Sequence, residues 1–83
     1  MVWEKIERTV NSEGTTITYA AEDTNRMLIV QSRKRHIEHA NSVGTWDFTT
    51  YHVIIRGKEI QKIFHRMAEA KAYAEDKWNE SVS

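Results

Sequence analysis

The sequence predicts an α+β fold, in which a five-stranded antiparallel meander sheet is followed by one C-terminal helix packed on one face (βββββα). Residues 66–79 contain neither Gly nor Pro and repeat Ala, which is typical of a helix. Thr15–Glu22 alternates apolar and polar side chains with the period of a strand. Gly57 separates two further apolar runs, as the turn of a hairpin does.

The first strand is predicted over Val2–Val10, with Ile6 and Val10 on the core side and Trp3 pointing the other way. A short polar loop follows. In the second strand, Thr15–Glu22, the residues on one face are Ile17, Tyr19 and Ala21 and those on the other are Thr16, Thr18 and Glu22.

Asp23–Arg26 is predicted to form a turn, because Asn and Asp tolerate the left-handed backbone that tight turns need. Pairing across this turn sets Tyr19 against Val30 and keeps both apolar residues on one face. The third strand is predicted over Met27–Ile37, and a loop over residues 38–44 follows it.

The fourth strand is predicted over Trp46–Ile55 and turns through Gly57 and Lys58, with Gly first. This turn would place Arg56 opposite Glu59. Lys62 falls on the face predicted to meet the helix, so either the register is imperfect or its stem lies along the core while its ammonium reaches out. The other side chains predicted on that face are Leu28, Val30, Tyr51, Val53, Ile55, Ile60 and Phe64.

The helix is predicted over residues 66–79. Met67, Ala70, Ala74 and Trp78 recur at spacings of three and four and form one apolar stripe, with Tyr73 on its flank. Because the stripe is rich in small side chains, the helix axis is expected to lie close to the sheet.

The composition predicts one small domain over residues 1–83, with about 80–83 as a frayed tail. The chain has no apolar run near 18 residues and no signal-peptide pattern, so the expected location is the cytoplasm, while the absence of Cys fits any compartment. The net charge is zero, which argues against a histone-like polyanion binder. Residues 24–66 nevertheless hold eight basic and three acidic residues, a local net charge of +5.

Strand alternation predicts a second sheet face that the helix leaves uncovered and that mixes apolar, aromatic and basic side chains. Three interpretations of it stay open: a minor apolar cluster of Trp3, Trp46, Phe48 and nearby Ile side chains, a protein-binding or homodimer surface, and a nucleic-acid-binding surface. The protein-binding candidates are Trp46, Phe48, Ile29, Ile54, Arg33 and Arg35. The nucleic-acid-binding candidates are Arg33, Lys34, Arg35, His52 and Arg56.

The sequence contains no recognisable catalytic or metal-binding motif. His36 and His39, with Glu38 between them, follow a strand rather than lie on a helix, where their spacing would suit a metal. No Gly-x-Ser-x-Gly context surrounds a Ser, and the Gly residues are isolated. We therefore expect no enzyme, no cofactor, no metal and no small-molecule substrate. The hypothesis favoured over nucleic-acid binding is a non-enzymatic protein-binding module.

The segment GKEIQKIF, followed by HR and MAEAKAYAEDKW, resembles the closing hairpin and helix of many small phage and prophage proteins. It covers about a quarter of the chain. The chain also looks somewhat like the arm-binding DNA-binding domains of phage-type integrases, but it has two extra predicted strands and no strongly basic hairpin turn. The resemblance implies an accessory protein of a mobile element, including small inhibitors of host defence. It identifies no binding residues.

Overall fold

Five strands and one helix follow one another in chain order over the residues that the structure describes. The computed structural model describes residues 2–38 and 45–82, and the side chains of residues 2–35 and 48–80. The elements are β1 (Trp3–Asn11), β2 (Gly14–Ala21), β3 (Leu28–Glu38), β4 (Thr45–Ile55), β5 (Lys58–Phe64) and α1 (Met67–Val82). The strands form one antiparallel sheet in the order β1-β2-β3-β4-β5, so the predicted βββββα meander is confirmed.

The core lies between α1 and one face of the sheet, as the alternation of the strands predicted. Leu28, Val30 and Val53 are fully buried there, against Ala70 and Ala74 of the helix. The two Ala side chains let the helix backbone approach the sheet closely, which a larger residue would prevent. The remaining members of the core and its margin are Ala21, Phe64, Trp3, Tyr51, Ile55, Ile60, Tyr73 and Trp78.

The helix starts beside the end of β5 and extends toward the end of the sheet that holds the β2–β3 turn. Lys71 Nζ lies 5.4 Å from the ring centroid of Tyr19, and the Arg56 guanidinium lies 5.3 Å from that of Trp78. The helix continues to Val82, past the end near residue 79 that the sequence predicted. In the described part of the chain, no helix is long and apolar enough to cross a membrane.

The β2–β3 connection is held by a buried threonine. The Thr24 hydroxyl donates to the Ala21 carbonyl at 2.7 Å and accepts from the Leu28 amide at 3.4 Å. Asp23, Asn25 and Arg26 all have positive φ in this turn. The predicted turn is therefore confirmed, and Tyr19 pairs with Val30 as expected.

The predicted orientation of Trp3 in β1 is wrong, whereas Val10 lies on the predicted side of the sheet but outside the core. The register of β1 against β2 shifts between Lys5 and Glu7, so a β-bulge breaks the strict alternation that the prediction assumed. Trp3 consequently lies opposite Ala21 on the helix side, where it packs against the core. Val10 pairs with Thr15 on the helix side, as predicted, but it is 64 % exposed, because its part of the sheet extends past the start of the helix.

The β4–β5 turn also differs from the prediction. Arg56 and Gly57 are its central residues, with φ of 52° and 83°, and Ile55 pairs with Lys58. Two successive positive φ angles define a type I′ turn, whose twist matches that of the flanking strands and in which Gly takes the second position. The predicted turn through Gly57 and Lys58 was therefore wrong by one residue, and Arg56 does not lie opposite Glu59.

Farther along the same hairpin the predicted register holds. An irregularity between His52 and Ile54 brings Tyr51 opposite Phe64 and His52 opposite Ile63. Phe64 therefore reaches the core as predicted.

Candidate functional site

The sheet face that α1 does not cover, called the open face below, is built from side chains that alternate with the core residues. Each strand contributes every second residue, and the register places these residues in straight rows across β2, β3, β4 and β5. The rows are Ala20, Ile29, Ile54 and Glu59; Thr18, Gln31, His52 and Ile63; Thr16, Arg33 and Thr50; and Gly14, Arg35 and Phe48.

The row nearest the β2–β3 turn is largely apolar, but it is not the predicted cluster, because Trp3 lies on the helix side and the Trp46 side chain lies outside the described set. Ala20 is buried, and Ile29 and Ile54 beside it are half-buried, although no helix covers them. These two Ile side chains therefore contribute mainly to packing within the sheet surface. They leave less apolar area for a partner than the sequence suggested.

A chain of polar contacts crosses the middle of the open face. The Arg33 Nε–H donates to Gln31 Oε1 at 2.7 Å, and Gln31 Nε2 donates to Thr18 Oγ1 at 3.2 Å. The other end of the Arg33 guanidinium pairs with the Glu59 carboxylate. Arg33 is thus held in one geometry with its charge locally neutralised, so it is a fixed element of the surface rather than an available cation.

His52 is a nearly buried imidazole at the centre of this face, with 8 % of its surface exposed. Its Nε2 and the Thr50 hydroxyl form a hydrogen bond of 2.8 Å. Burial lowers the pKa of His52 below its usual 6.5, and the positive charges of Arg33 and Arg35 lower it further, while Glu59 acts in the opposite direction. The imidazole is therefore neutral at pH 7.

Beside His52 the open face holds a depression of about 160 Å³, lined by Arg35, Phe48, Thr50, His52 and Ile63. Its apolar walls are unusually exposed for large side chains, since Phe48 is 48 % exposed and Ile63 is 57 % exposed. Arg35 is exposed and makes no hydrogen bond or ion pair with the side chains that the structure describes.

The segment between β5 and α1 adds an aromatic contact next to the depression. The rings of Phe48 and His65 meet edge to face, with centroids 6.3 Å apart and planes inclined by 65°. The sequence reasoning included neither Ile63 nor His65 in the site. Strand alternation could have identified Ile63, because Phe64 was already assigned to the helix side and its neighbour must then face away.

The structure brings together some of the predicted residues and separates others. Arg35, Phe48 and His52 lie around one depression. The Trp46 backbone pairs with Ile37, two residues from Phe48 along β4, and its side chain lies outside the described set. The proposed role of Trp46 stays a prediction.

The residues suggested for nucleic acid do not form one continuous basic surface. Arg56 lies over the Trp78 ring on the helix side of the molecule. Lys34 shares a row with Thr15 and Thr49, which alternation places on the side opposite Arg33 and Arg35. Because phosphate binding depends on several cations acting on one backbone, this separation weakens that interpretation.

A larger depression, of about 500 Å³, lies at the other end of the molecule. Glu22, Asp23 and Glu75 surround it, together with Trp78. One face of the Trp78 ring is already contacted by Arg56, and the Thr24 hydroxyl at its edge is used within the turn.

Among the described residues, no group of three or more His, Asp and Glu side chains could hold a metal ion. His36, Glu38 and His39 fall outside the described side chains. Comparison of the chain with protein-family models, with curated proteins and with solved structures gave no significant match.

Proposed function

We propose that this chain is a small non-enzymatic protein-binding module that holds its partner against the open face. The observation that carries the proposal is the exposure of Phe48 and Ile63 on either side of one depression, next to the exposed Arg35. Aromatic residues and Arg are enriched in protein interfaces, and truncating such anchors has the largest effects on binding.

The surroundings of this patch also suit binding. Arg33, Gln31, Thr18 and Glu59 already bond to one another, and Thr50 bonds to His52. A partner would therefore meet side chains that are already ordered, and less conformational entropy would be lost on association. The patch is small, so we expect an interface at the low end of the usual size range unless Trp46 extends it.

The partner that we propose is a different protein, and a homodimer through the same face is the alternative outcome. Light scattering during size-exclusion chromatography separates the two, because a homodimer would double the mass of 9.8 kDa at high concentration. The resemblance to small phage and prophage proteins supports an accessory or inhibitor role for such a module. The relationship to phage and prophage proteins and the accessory or inhibitor role both stay predictions.

Nucleic-acid binding through Arg33, Lys34, Arg35, His52 and Arg56 is the competing prediction. Its test is binding to labelled single-stranded and double-stranded oligonucleotides at two salt concentrations. Binding that falls steeply with salt and disappears on replacing Arg33 and Arg35 by Glu would favour nucleic acid over protein.

The proposal itself is tested by selecting peptides from a displayed random library against the whole chain and mapping them by amide chemical shifts. We expect the shifts to cluster on the open-face residues of β3, β4 and β5. Phe48→Ser should weaken binding by at least about tenfold, the effect of removing an interface anchor. Met27→Ser is a matched control, because Met27 is also 48 % exposed but lies outside the depression.

Two results would contradict the proposal. Selected peptides could map to the helix side of the sheet, or they could bind the Phe48→Ser variant as tightly as the original chain. Either outcome would place the binding surface elsewhere.

A further inference from the structure

We infer that the depression lined by Arg35, Phe48, Thr50, His52 and Ile63 is a carboxylate subsite, which takes an Asp or Glu side chain that has an apolar neighbour in the partner protein. The inference rests on the proposed function and specifies the chemistry of the partner segment. It places the carboxylate on Arg35 and the apolar neighbour against Phe48 and Ile63.

The charge of Arg35 is the first argument. Its guanidinium is a planar fork of donors that matches a carboxylate and binds it through two parallel hydrogen bonds. On the neighbouring row, the guanidinium of Arg33 is already paired with Glu59, whereas Arg35 has no such partner among the described side chains. Of these two Arg residues, Arg35 is therefore the one available to an incoming anion.

The size and lining of the depression are the second argument. Pockets for drug-sized molecules have volumes of roughly 300–1,000 Å³, and a space of about 160 Å³ accommodates only a side chain or a fragment of similar size. Phe48 and Ile63 form apolar walls, while Arg35 and the hydroxyl of Thr50 supply polar groups at the same place. This combination suits a segment in which an acidic residue and an apolar residue are adjacent.

His52 provides a means of detecting an occupant. The charged groups around it are Arg33 and Arg35 on β3 and Glu59 on β5, with His65 near Phe48 before α1. Burial keeps its pKa low, and the two Arg residues lower it further. A carboxylate bound at Arg35 would offset their positive charge, so the pKa of His52 should rise on binding. The same linkage makes binding tighten as the pH falls below the usual His pKa of 6.5.

The test uses two capped tripeptides, acetyl-Leu-Glu-Phe-amide and acetyl-Leu-Gln-Phe-amide, titrated into the whole isotope-labelled chain. A fragment of this size should bind with a dissociation constant on the order of 1 mM, which chemical shifts can follow. We expect the Glu peptide to shift the signals of Arg35, Thr50 and His52 and to bind about tenfold more tightly than the Gln peptide, since a charge-assisted pair is lost in the latter. The His52 pKa should rise with the Glu peptide alone.

Arg35→Gln should abolish the preference for Glu, whereas Arg8→Gln, at another exposed strand position, should preserve it. The amide spectrum of each variant verifies that the sheet is intact. Equal binding of the two peptides, no binding of either, or a preference that survives Arg35→Gln would overturn the inference. Displacement of the Glu peptide by a ten-residue oligothymidylate that binds more tightly at the same signals would also overturn it in favour of phosphate.

These outcomes are separate from failure of the proposed function. Library peptides that require Phe48 but bind equally well to the Arg35→Gln variant would keep the protein-binding module and remove the carboxylate subsite.

Discussion

The indole N–H of Trp3 donates a hydrogen bond of 3.2 Å to Glu75 Oε1 and so joins the first strand to the helix across 72 residues of sequence. Lys71, one turn earlier on the helix, places its ammonium 5.9 Å from the centroid of the same indole. The N-terminal strand is thereby attached to α1 by a polar contact at the margin of the core. This contact should contribute to stability more than an exposed one does.

Replacing Glu75 by Ala should lower the free energy of unfolding by about 1 kcal/mol, because the partly buried indole N–H loses its acceptor. Urea unfolding followed by circular dichroism measures the change. Asp76→Ala is the control, since it removes an exposed carboxylate from the adjacent position of the same helix. Equal effects of the two substitutions would show that the Trp3 contact adds nothing.

Replacing Ala74 by Leu should destabilise the fold by about 1–3 kcal/mol or more, because Ala74 has no exposed surface and the helix would have to move away from the sheet. Ala72→Leu is the same substitution at an exposed position of the same helix and should be nearly neutral. The thermal midpoints of the two variants provide the comparison. A neutral Ala74→Leu would mean that the helix does not pack closely at this point.

Replacing Gly14 by Ala should destabilise the protein by more than about 2 kcal/mol. A Cβ built on Gly14 would overlap the backbone carbonyl oxygen of Lys34 on the neighbouring strand, and backbone atoms cannot rotate away as a side chain can. At Gly57 an added Cβ meets no atom within 4 Å, and Gly57→Ala suffers only from the positive φ of 83°, a cost of about 1 kcal/mol. Chemical unfolding should therefore rank Gly14→Ala as the less stable variant, and the reverse order would contradict the close approach of β2 to β3.

Lowering the pH should destabilise the fold through His52. Because the pKa of His52 is lower in the folded protein than its usual 6.5, the unfolded chain takes up the proton first as the pH falls. The stability linked to this group is thus fully present above about pH 6.5 and is lost as the pH falls toward the lowered pKa. Unfolding free energies measured between pH 8 and pH 5 should fall less steeply for His52→Gln than for the original chain. Parallel pH profiles would show that His52 titrates normally.

Period-two alternation was sufficient to predict which side of the sheet faces the helix. Leu28, Val30 and Val53 are apolar residues at matching positions of adjacent strands, and only one register keeps them together. The orientation of Trp3 could not be predicted in this way. The bulge between Lys5 and Glu7 reverses the alternation within β1, and no Gly or Pro marks its position in the sequence.

The sheet face that holds the candidate site could be predicted from the sequence. The ion pairing of its charged side chains could be predicted less well. Alternation placed Arg33, Arg35 and Phe48 on one face, and the register confirms that placement. The pairing of Arg33 with Glu59 was not predicted, because it depends on the β4–β5 register next to the turn. That register follows from the left-handed backbone of Arg56, a conformation that non-Gly residues seldom adopt.

The two outer strands of the sheet are both irregular, and this limits how another molecule can approach. The bulge in β1 and the register break in β5 interrupt the evenly spaced main-chain groups that an incoming strand needs, and Glu4, Lys5 and Glu7 add charge along the first of these edges. Addition of a sixth strand by backbone pairing is therefore disfavoured at both ends of the sheet. Side chains on the surface of the sheet must then recognise the partner. Single substitutions among them should alter binding without disturbing the main-chain hydrogen bonds between the strands.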